Sequence, residues 1–543
     1  MCSEDHVSIE GLTLTNPGAD NMVFPIDLTR NTKLLAQKLM DISQGQKRVD
    51  CHTHVQGDIF GFTEEVAAQN LIGSQAAKLH KYPDDTIKEA IRAGRLVRRT
   101  MVDAVPNYSW FTQLALGQEP DFDAIAVMER RDMGRALMSA LQPSRYSERS
   151  GWLIHMLNRY DGISSRGPFF DPMDPDNFDL VYDAVAAQRN DPAFADQILK
   201  DDKIVALVTS LENASHVPLR LEPNSEAEIL KAIDLSTGMH PETYYMLDVH
   251  YIVCPEKATD LGPYFLGCKY QKENYLLNIE NRLDASIENA GDLRRTMKKW
   301  VHSVIRSPSN PESRILYANT FQPIYRRLNT GVTEAEVNRI ISKHKGQLDE
   351  SELTTVSAYA TQALLEGLNE IGSEISKNGG EGICFQTAIG VDYFIDGERE
   401  ISAFKAYQPR IPKDEGPVWS KYPNVMFEYL VADEKLQEDF MDAAKQVPNV
   451  IVGPWWQGFS SRSISHMIES MVWESSVSNF AGGISDARYV EMMGAKGQSI
   501  QEGIATGLAL CVSQGRLPMK VAEEYMSEIL YSSPARIHNI PLA

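Results

Sequence analysis

Residues 424–452 constrain the fold of this chain more than any other stretch. Asn424-Val-Met-Phe-Glu-Tyr-Leu-Val431 is a short apolar run of strand type. Residues 433–447 then place Leu436, Phe440, Ala444 and Val447 on one face at helical spacing. Asn449-Val-Ile-Val452 is a second strand, stopped by Gly453-Pro454. Strand, helix and strand in so short a span make the βαβ unit of a parallel sheet. The pattern continues with a helical stretch over 464–475 and a strand-like Phe480-Ala-Gly-Gly-Ile484. Two further helical segments follow, near 500–513 and 518–531.

Earlier apolar runs extend the series. Strands are expected at 48–54, 203–209, 244–254 and 382–390, which makes seven in all; an eighth is expected near 96–105. An amphipathic helix over 32–43 feeds the first strand. Eight parallel strands with intervening helices predict an α/β fold, a (β/α)8 TIM-type barrel. Such a barrel takes roughly 250 residues, and this chain has 543. The surplus is expected in an N-terminal helical segment (1–47) and in two mainly helical insertions of the barrel (48–543), near 56–200 and 258–378. Loop signals such as 168–177 and 307–311 punctuate those insertions.

The net charge of −21 argues against nucleic acid as a partner, because phosphate contact needs a basic surface. An anionic substrate would need a local positive group, a metal or an arginine, against that field. No apolar run reaches the roughly 18 residues that cross a membrane. The first residues lack the basic-then-apolar pattern of a secretory signal. The six cysteines, at 2, 51, 254, 268, 384 and 511, form no Cys-x-x-Cys pair, which fits a reducing cytoplasm better than a disulfide framework.

The chemistry is expected at the two ends of the barrel sequence. His52 and His54 stand two apart on the first strand, so their side chains point to one side. At the C-terminal end of a barrel strand that side is the mouth, where active sites lie. Two imidazoles so placed can hold one divalent cation and leave positions for a carboxylate and a water. Asp50, on the same face, can orient a ligand from behind. Asp486 follows the last strand, which in a closed barrel lies beside the first, and can face the histidines across the mouth. Arg488, two residues on, can grip a substrate carboxylate with both ends of its guanidinium. The bland alternatives are surface or packing histidines and an Asp helix cap.

These motifs together resemble the uronate isomerase (glucuronate isomerase) family of the amidohydrolase superfamily. Asp50-Cys51-His52-Thr53-His54 is similar to its Asp-x-His-x-His, Gly453-Pro454-Trp455-Trp456 to its Gly-x-Trp-Trp, and Ser485-Asp486-Ala487-Arg488 to its Thr-Asp-Ser-Arg. Tyr108-Ser109-Trp110 and Pro255-Glu256-Lys257 are weaker echoes of Tyr-His-Trp and Pro-Asp-Lys. Gln386-Thr387-Ala388-Ile389-Gly390 matches Gln-x-His-x-Gly except that Ala388 replaces the histidine, and Cys254 stands where an arginine is usual. The metal residues are kept and the departures fall on substrate-side positions, as in a distant member.

The resemblance implies aldose–ketose isomerisation of a hexuronate, a glucuronate- or galacturonate-like sugar acid, by proton transfer between C2 and C1. A metal would polarise the carbonyl and neighbouring hydroxyl. Asp486 would carry the proton as general base, His52, His54 and Asp486 would hold the metal, and Arg488 would hold substrate or stabilise charge. Zinc is the expected ion for this donor set, with manganese or iron also suited. Tyr108 either donates a proton at the pocket edge or packs with a satisfied hydroxyl. Trp455 and Trp456 either wall the sugar pocket or pack the barrel, and Gln386 is expected to contact substrate. His250, expected on a strand, is either a further metal ligand or a packing histidine. A nitrogen-richer site would favour the second reading, a metal-dependent hydrolase, lactonase or decarboxylase; a third is a barrel that only binds sugar acids. A small-molecule partner and self-association as a homo-oligomer are the expected interactions.

Overall fold

The structure is a computed structural model. It describes residues 29–53, 135, 138, 148–167, 169–189, 192–210, 242–253, 274–323, 331–343, 347–390, 418–431, 434–454, 461–474, 476–487 and 490–541. Residues 54–134, which include the first part of the insertion expected near 56–200 and the expected strand near 96–105, lie outside the described residues.

Seven strands are described: β1 (Arg48–Thr53), β2 (Ile204–Ser210), β3 (Glu242–Asp248), β4 (Ile315–Pro323), β5 (Ile383–Gly390), β6 (Val425–Val431) and β7 (Val450–Pro454). They pair in sequence order, and every pairing is parallel. Residues 480–487 occupy the remaining place. Phe480 bridges Val452 of β7 and Ala487 bridges Thr53 of β1, both parallel. The ring therefore closes on itself as a (β/α)8-type barrel, which leaves no sheet edge to cover.

Glycine makes that closure possible. A Cβ at Gly483 would stand 1.9 Å from the Val49 carbonyl oxygen and one at Gly482 would stand 2.3 Å from Ile529. Only a residue without a side chain lets residues 480–487 run against β1, where the Gly483 carbonyl accepts the Cys51 amide at 2.6 Å.

The expected helix at 32–43 is the helix Arg30–Gln44, and 464–475 is Ser461–Glu474. Of the two helices expected over 500–531, the first begins earlier and ends as expected, and the second is shorter. The first is Val490–Ser513; the second, Met519–Ser527, passes into a π turn at Glu528–Ser532.

Two expectations are corrected. The region 258–378 contains helices, including the 28-residue Glu350–Lys377, but also β4. Ile315-Leu-Tyr-Ala-Asn-Thr lacks the alternation of a half-buried strand because Ile315, Tyr317 and Ala318 are all buried, with the barrel bore on one side and the helix layer on the other. The run expected at 244–254 is also shorter. It is the third strand of the barrel and ends at Asp248, and His250 opens a short helix, His250–Val253. Among the described residues, no helix is long and apolar enough to cross a membrane.

Candidate functional site

The barrel bore is lined by a polar layer set by strand register. Asp248 on β3 pairs in register with Asn319 on β4, Asn319 with Gln386 on β5, and Gln386 with Glu428 on β6. Residues level with one another on parallel strands point to the same face. The side chains accordingly join: Asn319 Nδ2 donates to Asp248 Oδ1 at 2.9 Å, and Gln386 Nε2 donates to Glu428 Oε2 at 2.7 Å. All four are buried, Gln386 and Glu428 completely. Asn319 Oδ1 and Glu428 Oε1 are buried acceptors without a hydrogen-bond partner among the described residues. Leaving such groups unpaired costs about 1–3 kcal/mol each, which suits a bore that receives a polar ligand or water.

His52 and Asp486 stand above this layer. His52 Nε2 faces Asp486 Oδ1 at 3.5 Å, and both side chains are buried. The backbones are tied as well, the Asp486 amide donating to the His52 carbonyl at 2.8 Å. Asp486 takes φ = +47°, a left-handed conformation that Asp and Asn adopt more readily than other non-glycine residues. Lys496, itself 1% exposed, donates from Nζ to the Asp486 carbonyl at 3.1 Å. Lys496 thus holds the backbone of Asp486 from behind the site.

The other side of His52 is also occupied. Its Nδ1 is hydrogen-bonded to Gln386 Oε1. Burial alone would disfavour a charged imidazole, but the Asp486 carboxylate, Gln386 and the charge of Asp248 outweigh it and hold the His52 pKa above its usual value. Asp50 does not reach the His52 ring by a described bond. Its Oδ1 accepts the backbone amides of Ser485 at 3.1 Å and His52 at 3.4 Å, so it fastens β1 to the closing segment. Burial pushes its carboxyl up to about 6, against the hydrogen bonds from Ser485 and His52.

The separation of His52 Nε2 and Asp486 Oδ1 fits a shared divalent ion. Two bonds of about 2.1 Å meeting at a roughly tetrahedral angle span about 3.4 Å. A second group of ligand-type side chains lies deeper in the bore. Cys51, Glu428 and His538 bring ligand-type atoms within 4.8 Å of one another, all buried. Those atoms already have partners. His538 Nε2 meets Glu428 Oε2 at 2.7 Å, and the Cys51 thiol, which burial keeps protonated, reaches the Gly483 carbonyl at 3.1 Å.

Of the residues singled out in the sequence, the structure brings together His52, Asp486 and Gln386. Gln386 has no exposed surface, and its amide is engaged by His52 and Glu428 rather than turned to an open pocket. His54, Tyr108, Trp455, Trp456 and Arg488 lie outside the described residues, as do Cys254 and residues 255–257, whereas Ala388 is buried on β5. His250 begins the helix after β3, on the mouth side of the barrel. Asp248, Lys496 and His538 were not anticipated. Asp248 carried a usable signal, a carboxylate at the C-terminal end of a strand, where barrel enzymes place their chemistry. Lys496 and His538 carried none, since each reaches the bore from a distant helical segment.

Comparisons with known proteins agree with this architecture. No protein-family model matches the sequence, and no curated protein sequence matches it. Among solved structures, glucuronate isomerase from Caulobacter crescentus superposes with a TM-score of 0.63 at 15% identity, covering 96% of both chains. Uronate isomerase from Thermotoga maritima gives 0.61 at 13%, covering 93% of this chain and 97% of that one. A uronate isomerase from Bacillus halodurans gives 0.54 at 15%, covering 94% and 98%. Along nearly its whole length, the chain has the fold of the uronate isomerases.

Proposed function

We propose that this protein is a metal-dependent aldose–ketose isomerase acting on a hexuronate. The observation that carries the reading is the buried pair of His52 Nε2 and Asp486 Oδ1, 3.5 Å apart where the last barrel segment meets the first strand. His52, Asp486 and, from its spacing two residues after His52 in the sequence, His54 would hold a divalent ion, with zinc the expected identity and manganese or iron also suited to mixed nitrogen and oxygen donors. When bound, the ion would supply Lewis acidity toward the substrate carbonyl and hydroxyl oxygens.

The remaining work falls to the chain's own groups. Asp486 takes the proton from C2 and returns it to C1. Its left-handed backbone, fixed by the His52 carbonyl and by Lys496, aims the carboxylate at one place. Arg488 holds the substrate carboxylate with a two-pronged grip. Trp455 and Trp456 wall the sugar, and Tyr108 donates a hydrogen bond at the pocket edge. The buried polar layer below, with its two unpartnered acceptors, excludes apolar ligands and suits a polyhydroxylated one.

The test is to incubate metal-loaded protein with D-glucuronate and with D-galacturonate in D2O and follow both by NMR. A ketouronate, with C2–H exchanging for deuterium, is expected. Neither ketose nor exchange from either sugar would overturn the isomerase reading, and release of a hydrolysis or decarboxylation product from a related compound would replace it. A cytoplasmic location and self-association complete the reading; sedimentation of the purified protein tests the second.

A further inference from the structure

The deepest polar groups of the barrel form one unbroken chain of hydrogen bonds. His52 Nδ1 meets Gln386 Oε1, Gln386 Nε2 meets Glu428 Oε2 at 2.7 Å, and Glu428 Oε2 meets His538 Nε2 at 2.7 Å. The other ring nitrogen of His538 meets the Pro534 carbonyl at 2.8 Å. Gln386, Glu428 and His538 are each 0% exposed. His538 follows the turn Ser533–Ile537, and its neighbour Asn539 donates at 2.7 Å to Gly382, just before β5, so this end is the barrel floor. His52 is at the mouth.

The directions of these bonds follow from what each group can do. A carboxylate accepts and does not donate, and a peptide carbonyl likewise. His538 therefore turns its Nδ1–H to the Pro534 carbonyl and its Nε2 to Glu428. His538 and the Gln386 amide together outweigh the burial that would otherwise neutralise Glu428, and hold its carboxyl below the usual range. An ionised Glu428 fixes the Gln386 amide with its NH2 toward β6. The Gln386 oxygen is then left facing His52, so His52 must present a hydrogen at Nδ1. With Nδ1 committed to Gln386, the Nε2 side of the ring is the one turned to Asp486, where a metal would sit.

We propose that Gln386, Glu428 and His538 are positioning residues that fix the ring orientation and the Nδ1–H form of His52, so that the C-terminal turn on the barrel floor presets the ligand at the mouth. The consequence for metal affinity rests on the reading of His52 as a metal ligand; the fixed Nδ1–H form does not. Partners behind a metal-bound imidazole typically change affinity 10–100-fold when removed.

The experiment uses full-length protein labelled with 15N-histidine, with His52→Gln to identify the His52 signals. In the wild type, a slowly exchanging Nδ1–H cross-peak from His52 is expected with and without Zn2+. Gln386→Met keeps length and volume but offers no acceptor. It should abolish that cross-peak or make it exchange rapidly, and weaken Zn2+ binding, measured by chelator competition, 10- to 100-fold. The same cross-peak at wild-type intensity and exchange rate in Gln386→Met would overturn the proposal. Because removing one partner of the buried pair endangers folding, Glu428 is tested as the double variant Glu428→Gln/His538→Gln, in which loss of the slow exchange is expected and its persistence counts against the chain. Wild-type protein that shows the cross-peak but binds no Zn2+ would sustain the positioning chain and defeat the metal reading of the site.

Discussion

Asp486 Oδ1 lies 3.5 Å from His52 Nε2, and the amide of Asp486 donates to the carbonyl of His52 at 2.8 Å. Residues from opposite ends of the sequence thus share a backbone bond and a side-chain contact. The backbone bond comes from barrel closure, and it places the side chains. The candidate site is therefore as sound as the seam between residues 480–487 and β1, and perturbing either should be felt in both.

Asp486→Asn separates charge from geometry. Asn tolerates the φ of +47° as well as Asp does, so the melting temperature should move little. The substitution removes the carboxylate that would bind metal and carry the proton. Turnover of a hexuronate should fall by about 100-fold or more, the usual range for a general base, and bound metal should drop in elemental analysis. Asp486→Val supplies the contrast. A β-branched residue in this conformation is strained by about 1–3 kcal/mol, so it should lower the melting temperature as well. Full turnover in Asp486→Asn would remove Asp486 from the mechanism.

Gly483→Ala tests the seam. Its added Cβ would sit 1.9 Å from the Val49 carbonyl, a contact with backbone that no rotamer can relieve. The closing segment must move away from β1, breaking the Cys51–Gly483 bond and carrying Asp486 with it. Destabilisation at or above the usual 1–3 kcal/mol of overpacking is expected, seen as a lower denaturation midpoint, together with loss of metal. Gly515→Ala is the control for a substitution made at positive φ (+70°) with open space around it; it should be destabilised only by backbone strain and keep its metal.

Much of this arrangement was legible in the sequence because strands and their order leave local marks. The run 424–452 shows its periodicities within one window. His52 and Asp486 were legible because each sits at the end of such a strand. β4 escaped notice because a strand buried on both sides has no alternation to separate it from a buried helix. The contact of Gln386 with His52, and Glu428 and His538 behind it, escaped for a different reason. Gln386, Glu428 and His538 meet only through the register of β5 with β6 and the return of the C-terminal turn to the barrel floor, and no spacing along the chain encodes that meeting.

The Glu428–His538 pair should behave as a buried ion pair. Both side chains are 0% exposed and their contact is 2.7 Å. Removing one member strands the other charge, which typically costs 3–5 kcal/mol. Glu428→Gln and His538→Gln should therefore each unfold at markedly lower urea than the wild type. Replacing both should recover most of the loss, because no charge is then left unpaired. A double-mutant cycle at constant pH measures the coupling. Additive losses would mean that the pair is not electrostatically coupled.

A separate, partly buried histidine should shape the acid limb of the stability curve. Burial pushes the His155 imidazole down from 6.5 to about 4, with the Arg159 and Arg48 guanidinium groups adding to the effect and Asp202 opposing it. Between those two values the unfolded chain holds a proton on this residue that the folded chain does not. Acid therefore favours unfolding: the contribution of His155 to stability is intact above pH 6.5 and is lost as the pH falls through about 4. At about 1.4 kcal/mol per unit, the loss approaches roughly 3 kcal/mol, less whatever residual solvation screens. Asp50 acts in the opposite sense, because its carboxyl is raised from 3.8 to about 6 and the folded state binds the extra proton there. The two partly cancel in the wild-type curve, so the difference between variants is the clean measurement. His155→Gln should flatten the decline between pH 6.5 and 4 relative to the wild type in urea titrations at a series of pH values. Parallel curves across that window would show that His155 titrates normally in the folded protein.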